Sequence, residues 1–73
     1  MIGDLQSVVG RNVRRYRREQ GWSQNTFAVH IGMHRTYVAA VERGERNVTV
    51  GTVEKIANGL GVDPLILLYD ADH

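Results

Sequence analysis

The segment SQNTFAVHIGMHRTYVAAVERGERN, residues 23–47, constrains this chain more than any other. It reads as two short helices joined by a glycine. Ser23 is suited to cap the first helix by accepting backbone N–H bonds, and Phe27, Ala28 and Ile31 form the stripe that helix would bury. A second helix is expected from about Arg35 to Arg43, with Val38 and Val41 inward and His34, a weak capping residue, at its start. Two helices crossing near a right angle need a small side chain at the contact, a glycine at the bend and apolar anchors beneath. Counted from Gln24, Ala28 falls at position 5 and Gly32 at position 9, where a left-handed backbone needs glycine. Phe27, Ile31, Met33, Val38 and Val41 take positions 4, 8, 10, 15 and 18.

The flanks are helical too. Leu5, Val8, Val9, Val13 and Tyr16 recur at steps of three and four, which predicts an amphipathic helix from about Leu5 to Gln20, ended by Gly21. Thr49 caps a fourth helix with Val53, Ile56, Ala57 and Leu60 inward, stopped by Gly61. Asp63-Pro64 restarts the chain as an N-cap followed by proline at the first helical position, giving a short last helix over 64–69. The expected fold is therefore all-α, a compact five-helix bundle forming a single domain over residues 1–73. At this size only about 60% of the unfolded chain's surface is hidden, so pairing would add stability.

Composition removes several classes of function. With no cysteine there are no disulfides, zinc–thiolate sites or cysteine nucleophiles, and no signal-like apolar run opens the chain, so the cytoplasm is expected. No stretch approaches the roughly 20 apolar residues of a membrane span. The overall charge of +1 conceals polarity. Residues 11–46 hold eight arginines against Glu19, Glu42 and Glu45, a net of +5, whereas residues 47–73 carry Lys55 against Glu54, Asp63, Asp70 and Asp72, a net of −3. A basic segment beside an acidic tail suggests one face for a polyanion and another that avoids it.

At these residues the chain resembles the Cro/C1-type, Xre-like helix-turn-helix transcription regulators. The resemblance runs over residues 5–69 through RREQGWSQ (17–24), the Ala28–Gly32 step, VERGERN (41–47) and IANGLGVDP (56–64). Within that family, RTYVAAVERGERNVT (35–49) looks closest to controller proteins of restriction–modification systems, and it also resembles some host and phage regulators. The resemblance implies a lambda-repressor-like DNA-binding domain, with its motif at 23–43, that takes double-stranded DNA as its partner. It implies a bacterial cytoplasmic protein, nucleoid-associated when bound.

It also implies roles. Arg35 and Thr36 stand at the end of the recognition helix that points at base edges. An arginine there can pair with guanine O6 and N7, worth roughly 1–3 kcal/mol of discrimination. Tyr37 either reaches a base or sugar-phosphate or packs against the second helix. Ala39 and Ala40 offer at most a methyl contact with thymine, so direct reading looks thin and weight shifts to DNA shape. Ser23, Gln24, His34, Arg43, Arg46 and Asn47 are the expected phosphate contacts, although Arg46 also suits a solvated loop charge. Arg17 and Glu42 are expected to pair, joining the first helix to the third, while Arg11, Arg14, Arg15 and Arg18 read as a solvated face from which one could touch a phosphate.

Other chemistry finds little footing. His30 and His34 have the spacing of two ligands on one helix face, but Gly32-Met33 interrupts that helix, and His73 is terminal. No metal, cofactor or small-molecule ligand is expected. Ser23 has no histidine–acid pair near it and no glycine-rich phosphate loop follows a strand, so an enzyme is not expected. The run Leu65, Ile66, Leu67, Leu68 and Tyr69 is apolar on every side, whereas one core accepts a stripe. A symmetric homodimer through residues 63–69 would cover the surplus, with Leu65, Leu68 and Tyr69 foremost at the interface and Leu67 and Ile66 dividing between core and interface; otherwise part of the run folds over the core in extended form. A two-fold dimer would read an inverted repeat with its recognition helices about 34 Å apart, blocking or recruiting RNA polymerase and regulating its own operon. An antitoxin or phage-repressor role that depends on a protein partner is the alternative.

Overall fold

Residues 4–70 are described by the computed structural model, so Asp72 and His73 lie outside the described residues. The elements are α1 (Asp4–Glu19), α2 (Gln24–Ile31), α3 (Arg35–Glu42), α4 (Val50–Leu60) and a 3-10 helix, Pro64–Leu68. No strand occurs among the described residues. The fold is all-helical with the expected helix-turn-helix, but among the described residues it has four α-helices, and the fifth element is a 3-10 turn.

Local signals explain the central pair. The Ser23 hydroxyl accepts the Thr26 N–H at 3.0 Å and so starts α2. Gly32, at φ +67°, ends it, while the Met33 N–H donates to the Ala28 carbonyl at 2.8 Å and the Gly32 N–H to Val29 at 3.1 Å. This double bond pattern satisfies carbonyls that the helix end would leave bare. His34 precedes α3 without a side-chain cap bond. Below this pair Phe27, Ala28, Val38 and Val41 share one core with Val9 and Val13 of α1, Ile56, Ala57 and Leu60 of α4, and Leu67. Burying an aliphatic or aromatic side chain contributes about 1.5–3 kcal/mol, so this cluster is the main source of stability.

α1 meets α3 unusually closely. A Cβ on Gly10 would lie 2.3 Å from the Val41 carbonyl oxygen, so glycine here admits the α3 backbone. Buried Asn12, on the apolar face of α1, ties down the chain's last element. Its amide donates to the carbonyls of Leu67 and Tyr69, each at 2.8 Å, and approaches that of Ile66 at 3.3 Å. These bonds satisfy carbonyls that the end of so short a helical turn leaves without an intrahelical partner.

Candidate nucleic-acid interface

α3 turns one side down and one side out. Val38, Val41 and Glu42 are buried, and half-buried Tyr37 packs against the core. Thr36, Ala40 and Arg43 recur at steps of four and three, so they form one line on the outer side. Thr36 and Arg43 are exposed along it. Arg35 and Ala39 form the neighbouring line, which ends at Glu42, seven residues from Arg35. Arg35 is exposed, and among the described residues it meets no carboxylate.

The loop after α3 is organised by side chains. Arg46 holds its guanidinium 5.0 Å from the centre of the Tyr37 ring, a cation–π contact. Tyr37 thus both packs inward and supports Arg46. Arg43 pairs with Glu45 at 3.0 Å, both exposed, a contact that contributes little to stability. The Asn47 side-chain oxygen accepts from the Gln6 amide of α1, which leaves the Asn47 amino group as its outward donor.

The expected phosphate contacts around α2 stand differently from their reading in sequence. Ser23 donates its hydroxyl proton to Thr26 Oγ1 at 2.9 Å while accepting the Thr26 N–H, so its side chain is committed to the cap. Half-buried Gln24 donates to Glu42 Oε1 at 3.1 Å, and one N–H of its amino group is already engaged within the protein. His34 is exposed beside Arg35.

Arg17 and Glu42 form a buried, two-pronged pair. Arg17 Nε donates to Oε2 at 2.6 Å and an Nη to Oε1 at 2.9 Å, while its other Nη donates to the Trp22 carbonyl at 2.8 Å. The hydrogen bonds that Arg17 donates to Glu42, aided by the carboxylate's charge, raise the Arg17 pKa above arginine's ordinary value, against the opposing effect of burial. Glu42 therefore presents no free charge beneath the outer face of α3. With Glu45 held by Arg43, both α3-side carboxylates are matched to arginines. The remaining described acids after α3, Glu54, Asp63 and Asp70, sit on α4 and the C-terminal segment.

His30 lies in the last turn of α2 with its ring 4.8 Å from that of Trp22, and His34 belongs to the turn beyond. The two therefore do not share a helix. Among the described residues no His, Cys, Asp and Glu group of three or more could hold a metal ion. No described helix is long and apolar enough to cross a membrane.

The C-terminal run divides. Leu67 is wholly buried and belongs to the core, which removes it from the residues expected to face a second subunit. Leu65 is 71% and Tyr69 67% exposed, with Ile66 and Leu68 also exposed. Leu65 and Leu68 border an apolar groove of about 480 Å³ shared with Leu5, Val48, Val50 and Val53. Sequence reading missed Asn12, Gly10 and the Gln6–Asn47 contact. A polar residue within the apolar stripe of α1 was the one visible sign of the first.

An outward helix presented over a glycine turn, with cations around it, defines a helix-turn-helix protein. The helix-turn-helix family HTH_3 matches residues 13–67. The chain belongs to this Cro/C1-type family of transcription regulators and is homologous to control proteins of restriction–modification systems. It is 45% identical over 65 residues to a hypothetical transcription factor of Neisseria meningitidis serogroup B, covering 89% of this chain and 61% of that protein. It is 39% identical to control protein C.BamHI of Bacillus amyloliquefaciens, covering 93% of this chain and 85% of the relative. Its fold matches the restriction–modification controller C.Esp1396I, solved as a tetramer on its natural 35-base-pair operator, with a TM-score of 0.78 and 33% identity. That match covers 86% of this chain and 83% of the controller.

Proposed function

We propose that this chain is a sequence-specific, double-stranded DNA-binding regulator that lays α3 in the major groove of an inverted-repeat operator. The observation that carries the reading is the outer face of α3. It is built of Arg35, Thr36, Ala39, Ala40 and Arg43, and both glutamates near it are matched to arginines. In this reading Arg35 and Thr36 meet base edges, with Ala39 and Ala40 against thymine methyls. Arg43, Arg46, Asn47, His34 and the backbone N–H groups at Ser23 and Gln24 hold phosphates. Tyr37 acts through Arg46. Leu65, Ile66, Leu68 and Tyr69 cover one another across a two-fold axis, so that two α3 helices fall about one DNA turn apart. In this reading the protein regulates its own operon, blocking or recruiting RNA polymerase as the position of the site dictates.

The test is a fluorescence-anisotropy titration against DNA from upstream of its own gene, beside a scrambled duplex, near physiological salt. A preference of about 10³ or more is expected, since specific sites exceed non-specific ones by roughly 10³–10⁷. Equal, weak binding to both duplexes, and to a panel of inverted repeats, would refute the reading.

A further inference from the structure

The Glu42 carboxylate receives three hydrogen bonds from two elements other than its own. Arg17 of α1 supplies two and Gln24, the first residue of α2, supplies the third at 3.1 Å. Its side chain is 2% exposed. An ion pair alone needs only the two arginine bonds. The third fixes a long, rotatable side chain at the place where α2 begins, along the α3 line that carries Arg35 and Ala39. A glutamine amino group has two N–H donors, and only one of these is engaged here. The other remains for an anion that approaches the start of α2, where the first backbone N–H groups also have no intrahelical partner.

From this convergence we infer that Glu42 is a positioning residue for phosphate binding, acting through Gln24, in addition to its pairing with Arg17. The inference rests on the DNA-binding reading above. Held by Glu42, the Gln24 amide is restricted before DNA arrives and loses less conformational freedom on contact. Without Glu42 it would sample several rotamers and meet a phosphate only at the expense of that freedom.

The experiment is a double-mutant cycle on operator affinity with the full chain, using Glu42→Gln, Gln24→Ala and both together, each below its own melting transition. Gln24→Ala should weaken binding about tenfold, the size of one hydrogen bond to a charged group. The slope of log affinity against log salt should stay unchanged, because a neutral amide releases no counterion. Glu42→Gln should weaken binding in the native background and add less than twofold in the Gln24→Ala background, while lowering Tm equally in both. Equal affinity losses in both backgrounds would overturn the inference and leave a purely structural ion pair. Should Glu42→Gln not fold, ¹⁵N relaxation of the Gln24 side-chain amide in the unmodified protein decides. An order parameter near rigid values supports the inference, and one below about 0.6 overturns it. Absence of any operator preference in the unmodified protein would instead refute the DNA-binding reading, and the inference with it.

Discussion

Gly10→Ala should destabilise this domain, against the ordinary rule that alanine improves a helix. In an unconstrained helix interior the exchange gains about 1 kcal/mol. Here the new Cβ would stand 2.3 Å from the Val41 carbonyl oxygen and 2.8 Å from that of Glu42. Comfortable contacts between such atoms lie near 3.5 Å, so α1 and α3 must separate by on the order of 1 Å. The obstructing atoms are backbone, so no side chain can rotate away. Overpacking of this kind costs roughly 1–3 kcal/mol, and the cost falls at the upper end because the separation also stretches the Arg17–Glu42 bonds. The net loss is about 1–2 kcal/mol, or a Tm roughly 4–16 °C lower at about 4–8 °C per kcal/mol. Gly51→Ala is the control. Its Cβ would meet nothing nearer than Thr49 Oγ1 at 3.9 Å, so Tm should rise by a few degrees. Thermal unfolding by circular dichroism reads both. A Gly10→Ala protein that melts at or above the unmodified one would refute the close-approach argument.

Arg35→Ala should cost about 1–3 kcal/mol of affinity for the operator and relax preference at one base pair per half-site, read by anisotropy across a set of single-base operator variants. Leu67→Ala should lower stability by about 2–5 kcal/mol in chemical denaturation. Leu65→Ser should leave the monomer fold intact and shift analytical ultracentrifugation toward monomer, because Leu65 is 71% exposed. Asn12→Leu strands carbonyls of the C-terminal segment and should cost about 1–3 kcal/mol, with amide exchange accelerating first at residues 66–69. The Arg17 pKa is raised in the folded state, so the stability it contributes is complete at lower pH and is lost only as pH rises through that folded value. Denaturation midpoints between about pH 6 and 9 should therefore show no titration from this group.

What was legible in the sequence was what acts over a few residues. Ser23, Ala28 and Gly32 declare the helix-turn-helix because a cap, a small contact residue and a left-handed turn are each one residue's property. Asp63-Pro64 likewise announces a start, and the Asp63 side chain does accept the Leu65 N–H at 2.9 Å. The form of the last element was not legible. Its partner, Asn12, lies 54–57 residues away, and no local propensity records a distant amide. Gly10 was silent for a related reason: its role is an empty volume that another helix fills. Five consecutive apolar residues do not by themselves state which of them the core takes, and in the fold it is Leu67. Among site residues, types and rough positions were readable, but commitments were not. Ser23 and Gln24 looked available to phosphate, yet one is consumed by its cap and the other shares its amide with Glu42.

The placement of that glutamate has a physical logic beyond stability. A buried arginine–glutamate pair is a weak means of holding helices together, since the cost of desolvating both charges offsets most of their attraction, and apolar residues of similar volume often do as well. Losing one partner is another matter, at about 3–5 kcal/mol for the charge left behind. Such a pair is best explained by what an apolar residue could not do. At position 42 a leucine would pack, but it would leave the Gln24 amide without its acceptor and the Arg17 guanidinium without a counter-charge. A carboxylate at the foot of α3 is compatible with a polyanion above it only if an internal cation neutralises it. Arg17 meets that condition from α1, where it is buried. The ion pair thus allows an acceptor for Gln24 to exist at that point without setting a negative charge against DNA.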